Sequence, residues 1–295
     1  MSKILITGAT GGLGSAVADF LSKKVALTNI AVLVRDPQSE KAKTLAEKGF
    51  ELRVGDYTDK ASLAKAFTGI DQLYFVSGSD IAARLPQHQN VVETATAAKV
   101  GHIFYTSVSL TNLSPNSPLY ESMSHHTKTE EWIKNSGMRY TFLRHNLYSE
   151  IASMFVGAKE QLLESKNVFL PTGEGKVAFV ARTELAEAGA NVLANPAAHV
   201  NKTYEMNGST KVTFAEIAAF LSDILGENIG YVSPEVSDFE ATLTKFGVPA
   251  EYIGLMTVFS LGIAEGIFDS PTTDLEQILG RKTQPIAAFL KVAYQ

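Results

Sequence analysis

Seven residues near the start of the chain, Gly8-Ala9-Thr10-Gly11-Gly12-Leu13-Gly14, carry the plainest chemistry in the sequence. They follow the β-prone run Ile4 to Thr7 and lead into a stretch with Leu13, Val17, Phe20 and Leu21 at helical spacing. Gly8 permits a tight turn, Gly11 lets backbone N–H groups approach phosphate oxygens, and Gly14 lets the helix lie close to the strand. Unpaired N–H groups and the positive end of the helix dipole attract a pyrophosphate without any basic side chain. A strand, this loop and a helix in succession therefore predict a dinucleotide cradle.

The next β-prone run, Ile30 to Val34, ends in Arg35-Asp36, about 20 residues past the loop, where a dinucleotide's ribose is read. A guanidinium there forks onto a 2′-phosphate, whereas a carboxylate would accept from a 2′-hydroxyl. Arg35 thus points to NADPH, and Asp36 would weaken or reverse that preference if it were the residue facing the ribose. Later strand ends supply further candidates: Asp56 and Tyr57 at the adenine, Ser77-Gly78-Ser79 at the ribose and pyrophosphate, and Thr106 and Ser107 nearest the nicotinamide. Arg144, His145, Asn146 and Tyr148 follow the sixth strand, where a loop must cross the nicotinamide and open the substrate pocket. Each Ser or Thr of this set suits ordinary turn chemistry equally well.

Six β-rich runs position these residues: Ile4 to Thr7, Ile30 to Val34, Phe50 to Val54, Gln72 to Val76, Ile103 to Ser107 and Tyr140 to Leu143. Helical stretches separate them, among them Gly12 to Lys23, Pro86 to Lys99 and Tyr120 to Ser136. The pattern predicts an α/β fold: a doubly wound parallel sheet of Rossmann type, with ligands at the strands' carboxyl ends. After Arg144 the alternation fades, leaving strand candidates at Val177 to Val180 and Thr203 to Met206. Residues 1–150 read as the NADP-binding domain and 151–295 as a smaller α/β cap lobe. The boundary is soft and leaves room for a strand to return to the main sheet.

The 295 residues, 45% of them hydrophobic, suffice for a large core. A formal charge of −5 argues against nucleic acid as a partner, because that affinity rests on clustered Lys and Arg. The absence of cysteine excludes disulfides, zinc–thiolate sites and thiol catalysis. The apolar stretch between Glu251 and Glu265 falls short of the roughly 20 residues a membrane helix needs. No leader-like segment opens the chain, so a cytoplasmic location is the default. His88 has no second ligand at metal-binding spacing, and no metal is expected.

Together the glycine loop, Gly55-Asp56-Tyr57, Pro86-Gln87-His88-Gln89-Asn90, Tyr105-Thr106-Ser107, Leu143-Arg144 and Tyr148-Ser149-Glu150 resemble the NmrA-like group of atypical short-chain dehydrogenase/reductases. Gly173-Glu174-Gly175-Lys176, Asp274-Leu275-Glu276 and Leu279-Gly280-Arg281 extend the likeness over nearly the whole chain. Within that group the sequence is most similar to bacterial type 2 NAD(P)H:quinone oxidoreductases. The resemblance implies NADPH held between two lobes, two-electron reduction of a small quinone, and commonly a homodimer. Ordinary members of the superfamily use Tyr-x-x-x-Lys, in which lysine lowers the tyrosine pKa for proton transfer. Here Ser124 stands four residues before Lys128, so alcohol or sugar chemistry is not expected. A quinone accepts hydride readily, and positioning does most of the work.

For catalysis the candidates are His126, in a substrate or proton role; Lys128, at the nicotinamide ribose; and Tyr148, at the pocket wall. The plainer alternatives are a polar helix face for His126 and a packed ring for Tyr148. Phe155, Phe169, Phe179, Met256 and Phe259 suit a flat aromatic acceptor or simply the core. A missing Tyr-x-x-x-Lys fits a second reading too, a non-catalytic NADP(H)-binding sensor of the NmrA type.

Overall fold

The computed structural model describes residues 2–295. In chain order the elements of the first half are β1 Ile4–Ile6, α1 Gly12–Leu21, β2 Ile30–Val34, α2 Glu40–Glu47, β3 Glu51–Val54, α3 Lys60–Ala66, β4 Gln72–Phe75, α4 Ile81–Ala97, β5 His102–Val108, α5 Tyr120–Asn135 and β6 Arg139–His145. The second half adds α6 Ser149–Val156, α7 Lys159–Ser165, β7 Asn167–Phe169, α8 Arg182–Ala194, β8 Lys202–Met206, α9 Phe214–Leu225, β9 Gly230–Val232, α10 Val236–Lys245, α11 Ala250–Ala264, α12 Leu275–Leu279 and α13 Ile286–Tyr294.

Seven strands pair in parallel in the order β3-β2-β1-β4-β5-β6-β8. The central strands read as continuous apolar runs because helices cover both faces of the sheet. On one face α1 and α8 bury Val17, Leu21, Leu185 and Val192 with Ile4, Ile6 and Val32. On the other, α3, α4 and α5 bury Leu63, Val91, Ala95 and Ile133 with Leu5, Leu73 and Phe142. The direction of winding reverses between β1 and β4, which opens a crevice at their carboxyl ends.

The stretch from 151 onward serves two bodies of structure. Its α8, β8 and α12 belong to the sheet, with β8 alongside β6 and Leu275 in the core beneath α8. The remainder builds a second core around Phe155, Val168, Phe179, Phe214, Phe239 and Phe268, which carries the two-stranded sheet β7-β9. Val177 to Val180, expected as a strand, is not one. Val177 pairs with Val212 and Val180 with Tyr148, so the segment bridges two partners and extends a ladder with neither. Helix α4 begins at Ile81, well before Pro86, because Asp80 caps it by accepting the Ala83 N–H at 3.2 Å. Pro86 lies in its second turn, where the absent N–H costs one helical bond. Among the described residues no helix is long and apolar enough to cross a membrane.

Candidate active site

A cleft of about 680 Å³ runs along the carboxyl ends of the strands, from Arg35 past the glycine loop to Met123, Phe155 and Phe259. The loop's shape comes from backbone alone. Gly8 has φ +62°, where a side chain is strained, and the Gly11 N–H donates to the Gly8 carbonyl at 2.9 Å. A Cβ on Gly14 would stand 2.4 Å from the Gly8 carbonyl oxygen, so only glycine lets α1 start this close to β1. No side chain caps α1, which leaves its first N–H groups to the cleft. Arg182, at the start of α8, lies beside Gly12, and its guanidinium sits 5.2 Å over the Tyr148 ring.

At one end of the cleft, exposed Arg35 projects from the tip of β2 and makes no ion pair among the described residues. Asp36 is turned away: its Oδ1 accepts the Gln38 N–H at 2.8 Å, closing the chain's own turn. Asp56 accepts from the Thr58 N–H at 2.8 Å and the Thr58 hydroxyl at 2.7 Å. Those bonds, with a smaller contribution from Arg35, hold its carboxyl below the usual range. The Tyr57 hydroxyl meets Thr7 Oγ1 and donates to the Val76 carbonyl at 2.8 Å. Tyr57 therefore pins the ends of β1 and β4 together.

The other end is buried. His88 Nε2 accepts the Gly78 N–H at 2.9 Å, which places the ring proton on Nδ1, 2.9 Å from Thr129 Oγ1. Burial, then the Arg84 charge, brings the His88 pKa down to about 3. His126 faces the cleft from α5, with Nδ1 2.9 Å from the Tyr105 hydroxyl and Nε2 3.4 Å from Arg84 Nη1. Burial first and Arg84 second push its pKa well below 6.5. The ring is neutral, and Arg84 can only donate, so Nε2 is the accepting nitrogen. His145, also on the cleft, has its pKa lowered to about 3 by burial, while its Nδ1 lies 3.3 Å from the Tyr148 hydroxyl. Burial pushes Tyr148 up to about 12.

Of the residues singled out in the sequence, the cleft brings together Gly8, Thr10, Gly11, Gly12, Leu13, Gly14, Arg35, Asp56, Tyr57, Ser77, Gly78, Ser79, Ser107, His126, Asn146 and Tyr148. Four of the cofactor and catalytic candidates lie elsewhere, and of the five apolar residues only Phe155 and Phe259 line the cleft, while Phe169, Phe179 and Met256 pack in the second core. Lys128 is exposed and pairs with Glu131 at 3.5 Å, because two residues of helix turn it about 200° from His126. Arg144 is locked by Glu130 at 2.7 and 2.9 Å and by Glu205 at 3.1 Å, and these acids raise its pKa. Thr106 is buried, its Oγ1 accepting the Ser77 N–H at 2.9 Å, so it holds the loop that faces the cleft. Ala9 is fully buried in the core against α1. Asn146 reaches the cleft, but its amide is spent on Asn207, the Phe268 carbonyl and the Leu147 N–H. Among the described residues no cluster of three or more His, Asp or Glu side chains could hold a metal.

A model of the NmrA-like family matches residues 1–283. The chain belongs to that family. This NmrA-like chain is 35% identical over 285 residues to quinone oxidoreductase 2 of Escherichia coli K12, covering 96% of each sequence. It superposes with a TM-score of 0.89 on an NADPH-dependent quinone oxidoreductase of E. coli solved with NADPH, at 33% identity over 99% of this chain and 100% of that one. The TM-score is also 0.89 to a Citrobacter triphenylmethane reductase solved with NADP(H), at 35% identity over 99% and 100%.

Two basic residues of the NmrA-like cleft escape a reading of the sequence, Arg84 and Arg182. Arg84 carries one faint signal, a place one helical turn before His88 in a helix already aimed at the crevice. Arg182 carries none, since its neighbour Gly12 is far away along the chain.

Proposed function

We propose that the protein is an NADPH-dependent reductase that passes two electrons, as hydride, directly to a quinone or similarly electron-poor aromatic acceptor. One observation carries this reading. A single cleft joins a glycine cradle and a free arginine at one end to an apolar pocket at the other. The names of the relatives reported above, quinone oxidoreductase and triphenylmethane reductase, support the acceptor class.

The residues present fit the nucleotide. The cradle between Gly8 and Gly14 has no room for a Cβ at its narrowest point, and the open N–H groups of α1 suit a pyrophosphate. Arg35 would bind a 2′-phosphate, and Arg182 stands beside the cradle as a second cation. Bound NADPH supplies the hydride. Ile151, Phe155, Leu255 and Phe259 form an apolar wall against which a flat ring would pack. Among the described residues lining that space the titratable side chains are poor proton donors: burial keeps His126 and His145 neutral and pushes Tyr148 up to about 12. The cleft thus suits acceptors that need orientation rather than a general acid, with water supplying the proton.

Absorbance of NADPH followed with a simple quinone, and no added flavin, tests the reading. Steady oxidation is expected. Tight NADPH binding with no turnover across several quinones would overturn it in favour of a non-catalytic sensor.

A further inference from the structure

We propose that Arg84 decides which acceptors the cleft takes, by binding the oxygen that becomes anionic when a quinone is reduced and by repelling acceptors that carry positive charge. The inference rests on the reductase reading above for its chemistry, but on Arg84 itself for its geometry.

Arg84 is 7% exposed and lines the cleft. Its Nε donates to the Gly78 carbonyl at 2.8 Å and its Nη1 to the Ser122 carbonyl at 3.1 Å. Among the described residues it has no ion pair and Nη2 has no hydrogen-bond partner. Asp80 is the carboxylate whose charge acts on it, and that carboxylate accepts the Ala83 N–H to cap α4. His88, His125 and His126 face it as bases that its own charge helps to keep neutral, and Tyr105 faces it as a phenol. The chain treats Arg144 differently, giving it two carboxylates. A guanidinium buried without a counter-charge is costly, and the cost is recovered only when an anion arrives.

Position identifies the anion. Arg84 hangs from the loop after β4 and from α5, which follows β5. The pyrophosphate cradle follows β1, on the other side of β4, and Arg182 already stands there. When a quinone takes up hydride, one oxygen holds the negative charge until a proton from water neutralises it, and the nucleotide leaves oxidised. Spare guanidinium donors stabilise that oxygen. A cationic dye becomes neutral on taking hydride, so it gains nothing from Arg84 and meets repulsion on entry.

The test compares wild type, Arg84→Met and Arg84→Lys in two ways. Binding of 4-nitrophenol to the protein–NADP⁺ complex is followed by its absorbance across pH, and rates are measured with benzoquinone and with a cationic triphenylmethane dye. In wild type the bound phenol should ionise at lower pH than in water, in Arg84→Met it should not, and Arg84→Lys should retain part of the shift. Quinone kcat/KM should fall about 100-fold in Arg84→Met, the loss seen for one oxyanion donor. The dye's rate should rise relative to the quinone's, and NADPH affinity should hold. A phenol that fails to bind, or that ionises as in water in wild type, overturns the proposal. So does a variant in which NADPH affinity falls and both acceptors lose equally, which would make Arg84 a nucleotide ligand. A shifted phenol with no quinone turnover would uphold Arg84's place and overturn the reductase reading alone.

Discussion

The two ends of the cleft are built on opposite principles. At the glycine loop, recognition comes from bare backbone and exposed Arg35, which are close together in sequence, with Arg182 added from far along the chain. At the far end the lining is built from buried side chains on β5, α4 and α5, joined to one another through neutral histidines. The first end needs only a shape that side chains would spoil. The second needs each hydrogen bond in its place, because a misplaced polar group there has no water to turn to.

Substitution at Gly14 is expected to have the largest effect. Gly14→Val drives a side chain into the Gly8 carbonyl, so NADPH binding followed by fluorescence titration should be lost. The chain should also be destabilised by about 1–3 kcal/mol in urea. Acid comes next and acts on the other end. His88 and His145 have folded pKa values near 3 against 6.5 ordinarily, so the unfolded chain takes up protons first and stability falls as pH drops from 6.5 towards 3. At pH 5 the loss is roughly 2 kcal/mol for each, read from urea midpoints at pH 7 and 5. A midpoint unchanged by acid would mean that these rings are not buried as bases. Arg35→Asp should weaken NADPH binding by about 10- to 100-fold and leave NADH unharmed, consistent with losing charge-assisted bonds to one phosphate. The smallest effect belongs to Lys128→Ala, within about 0.5 kcal/mol in stability and 2-fold in rate, since its ion pair is exposed.

The same contrast explains what a sequence reader could see. The six strands announce themselves as short apolar runs, and the glycine loop fixes both the sheet type and the cradle, because backbone shape there is written in consecutive residues. Arg35 follows from its distance to the loop, and Asp36 is settled only by the turn it closes. Lys128 misleads because spacing copied from another motif ignores the helix face, on which Met123, His126 and Thr129 point inward. Arg144 looks like a ligand until β8 brings Glu205 to it. Arg84 was hidden by Pro86, which suggests a later start for α4 than Asp80 allows.

Helix α8 is made late yet lies flat against α1, and it sets Arg182 next to Gly12. During synthesis, then, the nucleotide pocket stays unfinished until well over half of the polypeptide has emerged. A fragment ending near residue 150 would present the bare flank of α1 to solvent. The nucleotide cleft in this sense draws on both halves of the chain, with Arg182 of the later half set beside Gly12 of the earlier one.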